Sequence, residues 1–205
     1  MRSRVLDFGL VSAMRSQAVY HGLAKTMTAH SDPILALASP LTPYVCVGMH
    51  QDIAKEVDEA FCAEQGLPIY RRHVGGGAVY LDQNQLFTHF IYPRSKAPDR
   101  AAALYPMFIE PVVRTYREMG IPAAYRPVND IHVDGRKIGG TGAATIGNAT
   151  VMVDRLAARL HGVALETGAL TMAADTAIAA MGIELPGITG ADIAAAIMAA
   201  AVPAT

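Results

Sequence analysis

Apolar residues along the chain change period several times, and each change marks an element. From Ser12 to Ala29, residues Ala13, Ala18 or Val19, Leu23 and Met27 recur at helical spacing, and Ser12 is placed to cap the first turn. Ile34 to Ala38 is a short apolar strand closed by the Pro40 and Pro43 turn, and Tyr44 to Gly48 is a second strand. Asp52 is placed to cap a helix that runs through Cys62, with Val57, Ala60 and Phe61 inward and Gly66 as its stop. Leu67 to Arg72 predicts a strand. Ala78 to Leu81 and Leu86 to Tyr92 predict a pair of strands turning at Asp82-Gln83-Asn84-Gln85.

A polar connection then leads into a helix whose Leu104, Phe108, Val112 and Tyr116 fall four apart, giving one inward face until Gly120 ends it. Ala123 to Arg126, Ile131 to Val133, the Lys137-Ile138 strand and Ala149 to Val153 complete the pattern, with a tight hairpin turn at Asp134-Gly135. Strands mixed with helices in this order predict a mixed β-sheet with flanking helices, of the α/β or α+β kind. From Asp154 onward the pattern changes. The last 52 residues hold 17 alanines, no aromatic residue and no lysine. They read as two or three short helices, with Thr189 to Asp192 resembling a capping box. The expected organisation is a core over 1–153 and an Ala-rich helical tail over 154–205.

Composition narrows the classes. A length of 205 residues suits one domain with a proper core. The net charge of −1 advertises neither a nucleic-acid nor an anionic-membrane partner. Charged residues make up only 17%, below the ~25% usual for soluble proteins. Such an apolar chain suggests a surface buried against a partner. Cys46 and Cys62 form no disulfide framework, which points to a reducing compartment. No signal peptide is read at the N-terminus, and no apolar run approaches the ~20 residues that span a bilayer. A cytoplasmic protein is the expectation.

Two stretches carry the chemistry. In Arg71-Arg72-His73-Val74-Gly75-Gly76-Gly77-Ala78-Val79-Tyr80-Leu81-Asp82, paired guanidinium groups precede a glycine triplet flanked by strand-forming residues. Glycine lets a backbone approach a ligand closely, and arginine supplies forked donors suited to a carboxylate or phosphate. The second stretch is Asn129-Asp130-Ile131-His132-Val133-Asp134-Gly135-Arg136-Lys137-Ile138-Gly139-Gly140-Thr141-Gly142. Alone, the first reads as a surface turn, the Asn-Asp corner as an Asx-turn, and Lys137 as a solvated hairpin lysine.

Together, and in this order, the two stretches resemble the catalytic core of the lipoate-protein ligase family, within the wider biotin and lipoate ligase group. The resemblance covers most of residues 1–153 and implies the biotin/lipoate protein ligase catalytic-domain fold. It implies ATP-dependent activation of lipoate to lipoyl-AMP, followed by transfer to a lysine of a lipoyl carrier domain. Lys137 would be the catalytic lysine, touching both the acid carboxylate and the α-phosphate. Arg72 would contact the nucleotide, and Gly75, Gly76, Gly77, Ala78, Val79 and Tyr80 would line the acyl chain and adenylate. Asn129 and Asp130 would reach the ribose or a metal-bound phosphate, and Gly139 belongs to the matching Gly-x-Lys-Ile-x-Gly strand. ATP and Mg2+ are implied, the metal held largely by phosphates and waters rather than by a dedicated protein site. The implied partner is a small lipoyl carrier, either H-protein-like or the lipoyl domain of a dehydrogenase complex.

Other readings compete with this one. Biotin ligases share the Asn-Asp and lysine elements but carry an Arg-rich loop where this chain has its glycine triplet. Octanoyl or lipoyl transferases of the same fold use a cysteine thioester, usually placed beyond the lysine strand, and no cysteine follows Cys62 here. A partner-dependent binding module is the third, motivated by the tail. Larger ligases of the family continue with more sheet and an accessory domain, so the expectation for the atypical tail is that it caps the core, docks a separate accessory chain, or reflects a truncated gene. The start of the first helix, Arg15 to Ala24, lacks the acidic residue usual early in it, and with His50-Gln51-Asp52 it resembles a subgroup tied to bacterial sulfur oxidation. Cys46 and His50 have a spacing that permits one metal face, against an ordinary buried thiol. His89, mid-strand, reads as a satisfied core histidine.

Overall fold

The central strand Gln85–Pro93 (β6) is buried along almost its whole length, and the rest of the molecule is arranged around it. The computed structural model describes residues 3–157. Ahead of β6 come β1 (Arg4–Val11), α1 (Ala13–Lys25), β2 (Ile34–Pro40), β3 (Tyr44–Val47), α2 (Ile53–Glu56), α3 (Glu59–Glu64), β4 (Ile69–Arg71) and β5 (Val79–Leu81). After it come α4 (Ala101–Glu118), β7 (Ala124–Arg126), β8 (Asp130–Val133), β9 (Arg136–Ile146) and β10 (Ala149–Ala157). A seven-stranded sheet has the order β1-β2-β6-β10-β9-β8-β7, and a three-stranded sheet has the order β4-β3-β5. In the large sheet only β1 and β2 run parallel. This is the expected mixed sheet with flanking helices.

The large sheet is covered on both faces. On one face α4 lays Leu104, Phe108, Ile109, Val112 and Tyr116 against Leu35, Leu37, Phe90, Tyr92 and Met152. Pro106 and Pro111 lie inside this helix, and each costs about 3 kcal/mol in a helix interior. Burial of each large apolar side chain returns about 1.5–3 kcal/mol, so the packed face outweighs the broken ladder. On the other face α1 packs Val19, Tyr20 and Ala24 onto Ile34, Ala36, Ile91, Val151 and Val153. The small sheet joins that face where Tyr44, Cys46 and Leu81 meet Phe87.

Several expectations are corrected. β1 is an element the apolar pattern did not predict. The expected helix from Asp52 to Cys62 is two: Asp52 makes no side-chain cap, whereas the Asp58 carboxylate accepts from the Phe61 amide and starts α3 afresh. Ala60 and Phe61 are exposed, and only Cys62 of that helix is buried. β5 and β6 do not pair with each other. β5 pairs with β3 in the small sheet, and β6 with β2 and β10 in the large one. Cys46 is fully buried while His50 is exposed, so they form no joint metal face. The strand expected to end at Val153 runs on to Ala157, carrying Asp154 and Arg155 into the sheet. The proposed helical tail and capping box lie outside the described residues, apart from that strand end.

His89 is in the core, as expected, but it is not satisfied. It has no solvent exposure, and neither ring nitrogen has a hydrogen-bond partner. Its neighbours are the Tyr20 ring at 5.3 Å and the Phe87 ring at 5.6 Å. Burial pushes the imidazole down to about 3, whereas the unfolded chain ionises it near the ordinary ~6.5. Between these values the unfolded chain binds the extra proton, so stability falls as pH drops below ~6.5. His89→Phe is expected to spare about 2 kcal/mol of the loss between roughly pH 7 and roughly pH 5. Urea melts at the two pH values read this directly, and equal losses in both proteins would count against it. Asp154 acts in the opposite sense on the α4 side of the sheet. Burial raises its carboxyl well above the ordinary range, opposed only by a 3.4 Å hydrogen bond from the Thr88 hydroxyl.

Candidate active site

The loop between β4 and β5 is tied to the end of β3 by its own backbone and by both arginines. Gly76 takes φ +103°, a conformation open to glycine. Its carbonyl lies so close to Gly48 that a Cβ there would sit 1.8 Å from the oxygen. The Arg72 amide donates to the Val47 carbonyl, and the Met49 amide to that of Val74. The Arg72 guanidinium donates to the carbonyls of Gly75, Gly77 and Cys46 at 2.8–3.2 Å. That of Arg71 donates through Nη1 to the carbonyls of Gly48, Met49 and Gln51. In this state both arginines therefore shape the loop, and Arg72 alone of the two lines the cleft beneath it.

Opposite the loop, β8 and β9 form a hairpin in which Asp134 and Gly135 both have positive φ, 48° and 75°, matching the tight turn read from the sequence. The turn presents Lys137 at the start of β9. Its side chain lies forward along its own strand: a Cβ on Gly140 would sit 3.0 Å from Lys137 Cε. Lys137 Nζ reaches Asp130 Oδ1 on β8 at 2.6 Å, and Asp130 Oδ2 lies 3.6 Å from His132 Nε2. Burial alone would raise the Asp130 carboxyl, but the hydrogen bond and charge of Lys137, aided by His132, hold it below the ordinary range. Asn129 is fixed differently from an Asx-turn. Its side-chain amide donates to the Thr141 carbonyl at 2.7 Å, while the Thr141 amide and hydroxyl donate to its own carbonyl.

These parts enclose one cleft. Arg72, Gly75, Gly76, Gly77, Val79, Asn129 and Lys137 all line it. Ala78, Tyr80, Asp130 and Gly139 do not. Successive side chains of a strand point to opposite faces, so Val79 faces inward while Ala78 and the half-exposed Tyr80 turn away. Gly139 is buried against Ile131 and the Arg155 carbonyl, and Gly140 takes the place on the cleft wall. Asp130 acts on the cleft through Lys137.

The wall residues that sequence reading missed include Cys46, Phe87 and Val153 and two with hydrogen-bonding heads, Gln17 and Arg155. Gln17 lies on α1 and donates through Nε2 to the Tyr44 hydroxyl at 2.7 Å, while its carbonyl oxygen has no partner. Arg155 lies on β10 beside Gly140 and Phe87. Burial, then the nearby charge of Arg72, push its guanidinium below the ordinary arginine range, with Asp130 and Tyr116 opposing. The signal for Arg155 was the alternation Val151, Val153, Arg155. With Arg72, Lys137 and Arg155 on its walls and Val74, Val79, Leu81, Phe87 and Val153 between them, the cleft suits an anionic head joined to an apolar tail. Among the described residues no group of three or more His, Cys, Asp or Glu side chains is disposed to hold a metal, and no helix is long and apolar enough to cross a membrane.

Comparison with known proteins addresses the family and the fold. The profile of the lipoyl protein ligase A/B catalytic domain matches residues 12–166. Lipoate-protein ligase LplJ of Bacillus subtilis is 36% identical over 98 residues, which are 48% of this chain and 29% of the relative. A putative lipoate-protein ligase A of Aeropyrum pernix is 28% identical over 146 residues, 71% of this chain and 50% of the relative. The chain thus spans half or less of the length of these curated relatives. Among solved structures, a putative lipoate protein ligase from T. acidophilum with bound lipoic acid superposes with a TM-score of 0.76 at 21% identity, covering 96% of this chain and 93% of the other. Lipoate-protein ligase A bound with ATP gives 0.75 at 19% identity, covering 98% and 95%. A bi-partite lipoate protein ligase of Thermoplasma acidophilum, studied with its E2 lipoyl domain, gives 0.69 at 20% identity, covering 98% and 91%. At these identities the structural likeness establishes the fold.

Proposed function

The chain belongs to the lipoyl protein ligase A/B catalytic domain family, and from that premise we propose that it activates lipoate with ATP and passes the lipoyl group to a carrier lysine. The observation that carries this reading is the convergence of Lys137, Arg72 and the glycine loop on one cleft with an apolar wall. In the first step a carboxylate oxygen of lipoate attacks the α-phosphorus of ATP. The new acyl–phosphate bond forms as the α–β bond breaks and pyrophosphate leaves. Two anions must approach, so catalysis needs fixed positive charge between them. Lys137 supplies a mobile point charge there, and Asp130 keeps it positioned through the 2.6 Å contact to Nζ. Arg72 and Arg155 would take up charge on the phosphate side. In the second step the carrier's neutral amine attacks the activated carbonyl, AMP leaves, and the amine loses a proton as the amide forms.

Relatives that bind lipoic acid or ATP support the same pair of substrates. Mg2+ would ride on the triphosphate and waters, with Asn129 of the cleft wall as a nearby oxygen donor, and would screen the phosphate charge. The space inside the cleft is about 120 Å³, below the ~300–1,000 Å³ of typical ligand pockets. Binding of an acyl-adenylate would therefore need the walls of the cleft to part. The carrier would be a dehydrogenase-type lipoyl domain or an H-protein-like domain. A bi-partite relative supports a second chain completing the enzyme, and the cytoplasm suits all these substrates.

Thioester transfer is the second reading, because Cys46 lines the cleft. Burial, however, raises the Cys46 thiol, against a smaller opposing pull from Arg72, which leaves a poor nucleophile. The chain is expected to add a lipoyl-sized mass to an apo lipoyl domain in the presence of lipoate, Mg2+ and ATP, read as intact mass. A gain from an acyl-carrier donor without ATP would sink the ligase reading in favour of the transferase. Pyrophosphate exchange that depends on lipoate, without a mass gain, would place activation in this chain and transfer in a second one.

A further inference from the structure

A second concavity, of about 580 Å³, lies between α1 and the end of β4. Its lining includes His21 and Lys25 from α1 and Arg71, Arg72 and His73 from the loop, and it contains no Asp or Glu. Lys25 is exposed and has no carboxylate partner among the described residues. Arg71 meets its carbonyls through Nη1 alone, which leaves its Nε and Nη2 donors outside those bonds. The His21 and His73 rings meet edge to face at 4.5 Å. Burial, then His73 and Lys25, push His21 below its ordinary range, as expected of a base among positive charges. Met14 (64% exposed) and Met49 (40% exposed) flank these cations with adaptable apolar surface. The groove also adjoins the cleft: Gln17 and Arg72 line both.

We infer that this groove docks the acidic face of the lipoyl carrier domain, holding it while the carrier's lysine enters the cleft past Gln17. The inference rests on the reading that the chain serves a carrier lysine. Charge complementarity selects the occupant. A wall carrying one lysine and two arginines with no acidic residue repels a basic surface and attracts acidic side chains flanking a target lysine. Adjacency supplies the geometry, because a domain seated here has its surface at the cleft mouth. The methionines then pack beside the carrier surface without demanding one fixed shape.

The test measures binding and activation on the same samples. Calorimetry gives the Kd of an apo lipoyl domain from a 2-oxo acid dehydrogenase, without ATP, for the native chain and for Lys25→Glu and His21→Glu. Pyrophosphate exchange with lipoate is followed in parallel. Each variant is expected to weaken domain binding about tenfold, and added salt to weaken the native complex, with exchange unchanged. Neutralising the acidic residues beside the domain's lysine should reproduce the loss. Unchanged Kd in both variants would overturn the inference. So would displacement of the domain by inorganic pyrophosphate, if the variants lose pyrophosphate affinity instead, which would assign the groove to a small anion. Absence of exchange even in the native chain, with domain binding still lost in Lys25→Glu, would sink the ligase reading and leave the docking surface standing.

Discussion

Lys137→Ala is expected to lower lipoate-dependent pyrophosphate exchange by about 10²–10³-fold or more, the range seen when one preorganised charge-stabilising donor is removed from a transition state. The reason lies in what else the cleft offers. Arg72 has its donors committed to the carbonyls of Gly75, Gly77 and Cys46, and Arg155 is held on a buried strand. Neither has the reach to follow an oxygen as it moves from carboxylate to acyl phosphate. Lys137 does, because its flexible stem lies over Gly140, where no side chain obstructs it. Removing it also takes the nearest positive charge from Asp130, leaving only His132 beside that carboxylate, which adds repulsion near the cleft. Stability should change by no more than about 1 kcal/mol, since the Lys137–Asp130 pair is partly exposed and screened by solvent. Lys137→Met, which keeps the stem and loses the charge, should be as inactive as alanine. Exchange within about threefold of native in Lys137→Met would remove Lys137 from the chemistry.

Much of this site was legible in the chain because its parts are local. The glycine triplet, the hairpin turn and Lys137 each sit in a short segment whose backbone requirements show in residue type. What stayed hidden depends on strands far apart in sequence. β1 carries Arg4, Asp7 and Gly9 within eight residues, and it is a strand because it pairs with β2 across the intervening helix. The short link Asp82–Asn84 looked like a hairpin, yet β5 and β6 enter different sheets. The Asp82 amide donates to the Gln85 side chain and the Asn84 amide to the Asp82 carboxylate, so the turn is held by side chains rather than by a strand ladder. Arg155 was hidden by composition. Its neighbour Asp154 opens an alanine-rich run, and a buried aspartate on a core strand runs against the usual partition of charge. Gln17 was hidden by the same expectation applied to a helix face.

The motif's glycines should not be equivalent, and the strictest position should lie outside the motif. Gly48→Ala is expected to be the most damaging small substitution in the region. Its Cβ would lie 1.8 Å from the Gly76 carbonyl oxygen and 2.9 Å from its carbon, both backbone atoms. Relief must come from parting the end of β3 from the glycine loop. That separation strains the amide bonds from Arg72 to Val47 and from Met49 to Val74, and it also pulls on the Arg71 contact to the Gly48 carbonyl. Overpacking of this kind costs about 1–3 kcal/mol, and it lands where the cleft is built. Exchange should fall by at least about tenfold even in protein that remains folded, since a displacement near 1 Å can cost ~10²-fold in rate. Gly77→Ala is the contrasting case. No atom lies within 4 Å of a Cβ built there, and its φ is not positive, so stability should hold while KM for lipoate or ATP rises as the methyl meets the ligand. Urea melts and exchange kinetics on the two variants separate a loop that must be glycine to fold from one that must be glycine to bind. If Gly48→Ala proved as stable and active as the native chain, the close backbone packing of β3 against the loop would not be what shapes the cleft.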